Sequence, residues 1–266
     1  MAFLDDHYLL NGDTAHSLYH QIKGLPVLDP HNHADVTEIA ANANYPDPWT
    51  LFAATDHYVW EVLRKRRVEE KYIKGDATPR DKWLKLAEVF PEIAGNPVYE
   101  WVHLELKRQL GIDTILGPDT GAEIWDEACT LLARPDMRPM ALLVQMGVEC
   151  MCSTDDPADL LEDHAHVNGI AGRPLIRPTW RPDRAMNIAA PGWEEYLRRL
   201  EKRFGKPCNG IGDLLEVLRL SHDYFAERHC RATDHGIRVP LPAETGRVAA
   251  DQIFQTARAG RKVKPD

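Results

Sequence analysis

Four short segments read as strands, PVLDPHNH at 26–33, GVECMCST at 147–154, PLIRPTW at 174–180 and HCRATDH at 229–235, and in the first the apolar pair Val27-Leu28 breaks at Pro30 into polar residues. A run of this kind, apolar along its length and chemically active at its end, is how a buried parallel strand meets a functional rim. Helical stretches separate the later runs. LLEDHAHVNGI, opened by Asp156-Pro157, follows the second run, and WEEYLRRLEKRFG and DLLEVLRLSHDYFAERH lie between the third and fourth. Strand alternating with helix predicts a parallel α/β sheet, and the polar strand ends point to a (β/α) barrel-type architecture.

The interval between the first and second runs is of another kind. Broadly over residues 35–135 it carries Trp, Tyr and Leu at helical spacing, as in WEVLRKRRVEEKYI and NPVYEWVHLELKRQL, so a helical insertion follows the first strand. Thr78, Pro79 and Asp81 predict an N-cap, a first and a third helical position, and Thr120 with Glu123 predicts a second capping box. A closed eight-stranded barrel takes roughly 250 residues. With the insertion set aside, only about half the strands are visible, so a barrel domain over residues 1–266 reads as incomplete at its C-terminus, the N-terminal portion of a longer protein or a truncated product. The tail AADQIFQTARAGRKVKPD predicts one helix and a basic stop.

Composition narrows the partners. A formal net charge of −9 disfavours nucleic acid, whose usual footprint is a basic patch. No run approaches the ~18 apolar residues of a spanning helix, and the N-terminus MAFLDDHYLL is acidic where a secretory signal is basic. Five cysteines, an odd number with no CxxC pair, fit a reduced, cytoplasmic location.

His31-x-His33 is the sharpest chemical feature. On a strand, residues two apart share a face and both reach one metal ion; the competing reading is a pair of histidines that end a strand against carboxylates. His164-x-His166 has the same spacing in a helical segment, where two residues turn about 200°, and a solvated or capping role is expected there. Catalytic zinc takes three protein ligands, so a carboxylate is expected from elsewhere. In Asp56-His57-Tyr58, a tyrosine beside a divalent cation becomes a proton shuttle, against the plainer reading of an N-cap followed by ring packing. Ser153-Thr154-Asp155-Asp156-Pro157 offers paired carboxylates, or an N-cap at Asp156. Trp180-Arg181-Pro182-Asp183 puts a guanidinium at the same rim, where it holds a substrate carboxylate or pairs with Asp183 or Asp155. His235 in Asp234-His235-Gly236 is a third ligand, a base or a strand terminus. Cys150 and Cys152, among apolar neighbours, predict buried inert thiols. Gly210-Ile211-Gly212 lacks the third glycine of a dinucleotide fingerprint.

In order, DPHNH, DHYVWEVLRKRRVEE, GDATPRDKW, GNPVYEWVHLELKR, STDDP, PTWRPDRAMNI and CRATDHG resemble the uronate isomerase (glucuronate isomerase) family, a branch of the amidohydrolase superfamily, from about residue 1 to 260. The resemblance implies a distorted (β/α)8 TIM-type barrel with a helical insertion after the first strand. It implies interconversion of D-glucuronate with D-fructuronate and of D-galacturonate with D-tagaturonate. It places a divalent metal, zinc by its histidine ligands although manganese also suits, on His31 and His33. The sugar acid meets Arg181, flanked by Trp180, with His57 orienting it and Tyr58 sharing the proton transfer; His235 lies in the strand-end Asp-His motif. The family usually has glycine where this chain has Thr55, and Asn-Gly within the stretch that here reads RKRR. Its last-strand carboxylate and nearby arginine have no counterpart in these 266 residues. A hexuronate is the expected partner, with no nucleic acid or membrane, and a homo-oligomer is left open. Two other readings are a metal-dependent hydrolase on the same barrel, and a catalytically inactive half-barrel whose sheet edges a complementary chain covers.

Overall fold

Side-chain caps followed by proline open three helices of the long insertion, at Pro48, Pro79 and Pro97. The computed structural model describes residues 3–5, 7–236 and 245–263. The chain divides into a first unit, residues 1–27 and 41–148, and a second, residues 28–40 and 149–266. In chain order come α1 (Asp13–Ile22), β1 (Val27–Asp29) and α2 (Val36–Ala41). Then α3 (Pro48–Phe52), α4 (His57–Lys65), α5 (Pro79–Val89), α6 (Pro97–Leu110), α7 (Gly121–Leu132) and α8 (Pro139–Gln145) follow with no strand between them.

Asp47, Thr78 and Asn96 each accept a backbone N–H at the start of α3, α5 and α6, and Pro48, Pro79 and Pro97 stand at the start of the first turn. Proline is pre-set for that position because its missing N–H has no partner there anyway. Gly111 ends α6 at φ 73°, a left-handed conformation that side chains resist. Thr120 is a correction: its hydroxyl donates to Ile115 O and accepts from Gly117 N–H, so it closes the preceding turn and caps nothing at α7. The faces of these helices meet in one apolar core around Leu63, Trp83, Phe90, Leu106 and Ile124. At the α5–α7 contact, a Cβ on Gly121 would lie 2.6 Å from the Ala87 Cβ, and the Gly121 carbonyl accepts the Trp83 indole N–H at 2.9 Å. Only glycine lets the two helices approach this closely.

The second unit carries the parallel strands. β2 (Val148–Cys152), α9 (Glu162–Asn168), β3 (Leu175–Arg177), β4 (Thr179–Trp180), α10 (Asp183–Met186), α11 (Trp193–Phe204), α12 (Ile211–Glu227), β5 (Ala232–Thr233) and α13 (Arg247–Arg258) follow in order. One sheet has the order β1-β2-β3, with β2 parallel to β3; the other pairs β4 with β5, also parallel. The run expected as one strand over 174–180 is therefore two, separated at Pro178, which has no N–H to give a ladder. Ser153 N–H to Arg177 O, Asp155 N–H to Thr179 O and Arg181 N–H to Asp155 O carry the hydrogen bonding past the break. The α/β class with parallel pairing agrees with the expectation.

The remaining differences are local. α9 begins at Glu162, not at Asp156-Pro157: the Asp156 carboxylate accepts Ala158 N–H as an N-cap does, but only a single turn follows, closed by Asp159 N–H to Asp156 O. β1 covers only Val27–Asp29, so His31 and His33 lie in the loop beyond it. Cys150 and Cys152 are half-buried rather than buried, and all five cysteines are unpaired. The tail helix is α13; residues 264–266 of the basic stretch lie outside the described residues. Trp193, Leu197, Leu200 and Phe254 pack α11 and α13 into this unit's core. No helix among the described residues is long and apolar enough to cross a membrane.

Candidate active site

The loop after β1 is shaped by Asp29. Its carboxylate accepts His31 N–H at 3.2 Å and the Asn32 side-chain amide at 2.7 Å, which turns the chain back immediately after the strand. In that turn the two imidazoles meet at right angles, with His31 Nε2 and His33 Nε2 3.1 Å apart. Convergence is thus the work of an Asp-anchored loop rather than of strand alternation. The far ring nitrogens are held as well: His31 Nδ1 lies 3.0 Å from Asp234 Oδ2, and His33 Nδ1 lies 3.0 Å from the Thr154 hydroxyl.

Asp234 leads on to the guanidinium. Its other oxygen is buried 3.6 Å from Arg181 Nε, outside hydrogen-bond range, while Asp183 takes that Nε at 2.7 Å. Burial alone would raise the Asp183 carboxyl, but the Arg181 contact and the Gly236 N–H outweigh it and hold it below the usual range. His235 Nδ1 stands 3.5 Å from the same carboxylate. Gly236 is tied by space: a Cβ there would fall 2.3 Å from Arg181 Nη2. The expected pairing of Arg181 with Asp183 is present, and among the described residues its Nη groups have no hydrogen-bond partner, so they are the donors left to meet an incoming carboxylate.

Beside His33, the segment Ser153-Thr154-Asp155 alternates its side chains. Ser153 and Asp155 are buried, and the Ser153 hydroxyl joins Asp155 Oδ2 and His164 Nε2, both at 2.8 Å. This overturns the solvated reading of His164, which is buried, while His166, two residues on, is exposed as helical geometry requires. Burial pushes the Asp155 carboxyl up to about 6 and the His164 imidazole down to about 4. A cavity of about 940 Å³ opens here, with His33, Asp35, Thr154, His164 and Arg199 on its walls.

Trp180 spends its indole N–H on Ser221 at 2.9 Å, which leaves the ring as its means of touching a ligand. His57 and Tyr58 belong to the first unit. Asp56 caps α4 through Tyr58 N–H, and the two rings lie 4.1 Å apart with Tyr58 also against Trp101. Tyr58 is 54% exposed. In the same unit, burial together with Asp56 raises Glu105 to about 7.

Among the described residues, no group of three or more His, Cys, Asp or Glu side chains forms a metal site. The reason is geometric: Asp234 touches the far nitrogen of His31, not the point where the Nε2 atoms converge. Those two atoms do suit a shared ion. With Zn–N bonds of about 2.0–2.1 Å, a 3.1 Å separation subtends roughly 95–100° at the metal.

A family model described as glucuronate isomerase matches residues 1–266. The chain belongs to the glucuronate isomerase family. The uronate isomerases of Thermotoga petrophila and Thermotoga maritima are each 41% identical over 264 residues, 99% of this chain and 58% of theirs. A crystal structure of uronate isomerase from Thermotoga maritima superposes with a TM-score of 0.92 at 41% identity, covering 100% of this chain and 58% of that one. Glucuronate isomerase from Caulobacter crescentus, 24% identical with a TM-score of 0.88, shares the fold. The chain thus spans a little over half the length of the relatives it matches.

Of the residues singled out in the sequence of this glucuronate isomerase family member, His31, His33, Arg181 and His235 fall in one connected chain of contacts in the second unit. Asp234 links the histidine pair to Arg181, and Asp183 links Arg181 to His235; in the motif Asp234-His235-Gly236 the sequence draws attention to His235 and not to Asp234. Its strand-end position was the available signal. In the sequence Thr154 is legible only as part of a segment offering paired carboxylates or an N-cap at Asp156, and His164 only as a solvated or capping residue.

Proposed function

We propose that this chain carries the metal and sugar-acid machinery of a uronate isomerase built on a (β/α) barrel, interconverting D-glucuronate with D-fructuronate and D-galacturonate with D-tagaturonate. The observation that carries the reading is the convergence of the His31 and His33 Nε2 atoms, with Arg181 joined to the same pair through Asp234. His31 and His33 would hold the divalent metal, zinc by donor type. Bound there, a divalent ion supplies Lewis acidity that stabilises negative charge on the sugar's C1 and C2 oxygens. Asp234 keeps the proton of His31 on Nδ1, so that Nε2 presents a lone pair.

Arg181 pairs with the uronate carboxylate through its Nη groups, a charge-assisted contact that fixes the distance of C1 and C2 from the histidines. Asp183 holds the guanidinium by Nε and thereby aims the Nη edge. Tyr58 shares in moving the proton between C2 and C1, and His57 orients the sugar. A hexuronate is the small-molecule partner, and five unpaired cysteines support a reducing, cytoplasmic setting.

The test is ketose formation from D-glucuronate by the purified 266-residue chain with added zinc. Turnover that Arg181→Ala weakens for uronates, far more than for an uncharged aldose, is the expected result. Zinc bound at His31 and His33 without any ketose formed would overturn the reading.

A further inference from the structure

We propose that Thr154 is a positioning residue that fixes the tautomer of His33, keeping its proton on Nδ1 and its Nε2 open as a donor atom. The inference rests on the reading of His31 and His33 as metal ligands, and it adds a residue to which that reading gives no role.

A count of protons assigns the tautomer. A threonine hydroxyl has one hydrogen and can donate only one ordinary bond. Thr154 Oγ1 has two partners, the Asn32 carbonyl at 3.2 Å and His33 Nδ1 at 3.0 Å. A carbonyl oxygen only accepts, so the hydroxyl hydrogen is committed to Asn32, and the bond with His33 requires Nδ1 to be the donor. The proton of the neutral ring then sits on Nδ1, and Nε2 carries a bare lone pair. His31 Nδ1 has an acceptor as well, Asp234 Oδ2. A cation between the two Nε2 atoms would take both lone pairs; without one, their 3.1 Å contact is a hydrogen bond in which the Nε2 of His33, protonated on Nδ1, is the acceptor.

The surroundings hold Thr154 to this task. Along extended backbone, alternate side chains point to opposite sides. Ser153 and Asp155 are 1% and 8% exposed and are fastened by His164 and by Thr179 N–H, so Thr154 between them is turned towards the loop of His33. The backbone on both sides is pinned too, by Ser153 N–H to Arg177 O and Asp155 N–H to Thr179 O. A hydroxyl on a freely moving segment would not select a tautomer; this one sits on a segment whose neighbours leave it a single direction.

The test uses the 266-residue chain, labelled with 15N-histidine, and two substitutions. Thr154→Val keeps the shape and removes the hydroxyl; Thr154→Ser keeps the hydroxyl. In the metal-free wild-type chain, long-range 15N–1H correlations should show His33 as the Nδ1–H tautomer, with Nε2–H appearing in Thr154→Val and Nδ1–H restored in Thr154→Ser. Zinc affinity, measured by competition with a chromogenic chelator, should weaken about 10–100-fold in Thr154→Val, the usual cost of losing the partner of a ligating histidine, and stay within about threefold of wild type in Thr154→Ser. An Nε2–H tautomer in the wild type, or a Thr154→Val chain with unchanged tautomer and affinity, overturns the proposal. A wild-type chain that binds no zinc, yet shows Nδ1–H that Thr154→Val abolishes, sinks the metal reading while this inference stands. Should Thr154→Val fail to fold, the wild-type tautomer and Thr154→Ser still decide.

Discussion

Asp155 and His164 make opposite demands on the pH, and separating them is a quantitative test of the buried cluster behind Thr154. Burial raises the Asp155 carboxyl from 3.8 to about 6 and lowers the His164 imidazole from 6.5 to about 4. A tenfold change in proton affinity between the unfolded and folded chain is worth about 1.4 kcal/mol, so each group changes stability by about 3 kcal/mol between its limits. For Asp155, whose folded value is raised, the contribution is full below about pH 4 and is lost as pH rises through about 6. For His164, whose folded value is depressed, it is full above 6.5 and is lost as pH falls through about 4. In the wild type the two slopes oppose each other, so the cluster is nearly neutral to pH between those limits.

Removing one group exposes the other. Urea unfolding from pH 4 to 7.5, with the variant subtracted from the wild type, cancels every surface carboxylate they share. The stability difference between wild type and Asp155→Asn should decline by about 3 kcal/mol from pH 4 to 7, since only the wild type has an acid to ionise. Against His164→Gln, the difference should decline by a similar amount in the other direction, from pH 7 to 4. Differences that stay flat with pH would refute the reasoning: the two groups would then be as well solvated when folded as when unfolded, and burial would not govern their ionisation.

Two further outcomes bear on the proposed chemistry. Gly236→Ala places a Cβ 2.3 Å from Arg181 Nη2, the far end of a flexible side chain, so the guanidinium must swing away while the fold survives. Uronate affinity should fall by roughly 10–100-fold, the worth of a charge-assisted bond, with an unchanged thermal midpoint; unaltered affinity would remove Arg181 from carboxylate binding. Tyr58→Phe leaves the packing on His57 and Trp101 intact and should cut turnover on the order of 100-fold without altering metal content, and an undiminished rate would take the phenol out of the proton transfer.

His31-x-His33 shows both how far sequence reasoning reaches and where it stops. Its histidines do converge, but not through the period of a strand, because β1 ends at Asp29 and the turn is made by that aspartate's bonds to His31 and Asn32. The same spacing at His164 and His166 was rightly separated by helical period, yet the burial of His164 was invisible, since the serine and aspartate that satisfy it come from a different element. Local signals, such as Thr78 before Pro79 or the short strand segments that become β1, β2 and β5, act over a few residues and survive in the sequence. Thr120 misled because its hydroxyl found nearer partners on the turn before α7, and a capping box specifies residue types without excluding that competition. What lay beyond reach was contact across the chain. Thr154 meets His33 from 121 residues away, and His31 meets Asp234 from farther still. A hydroxyl's single proton and a carboxylate's position set which imidazole nitrogen is free, so the chemistry of the histidine pair is decided by residues whose relevance only the fold reveals.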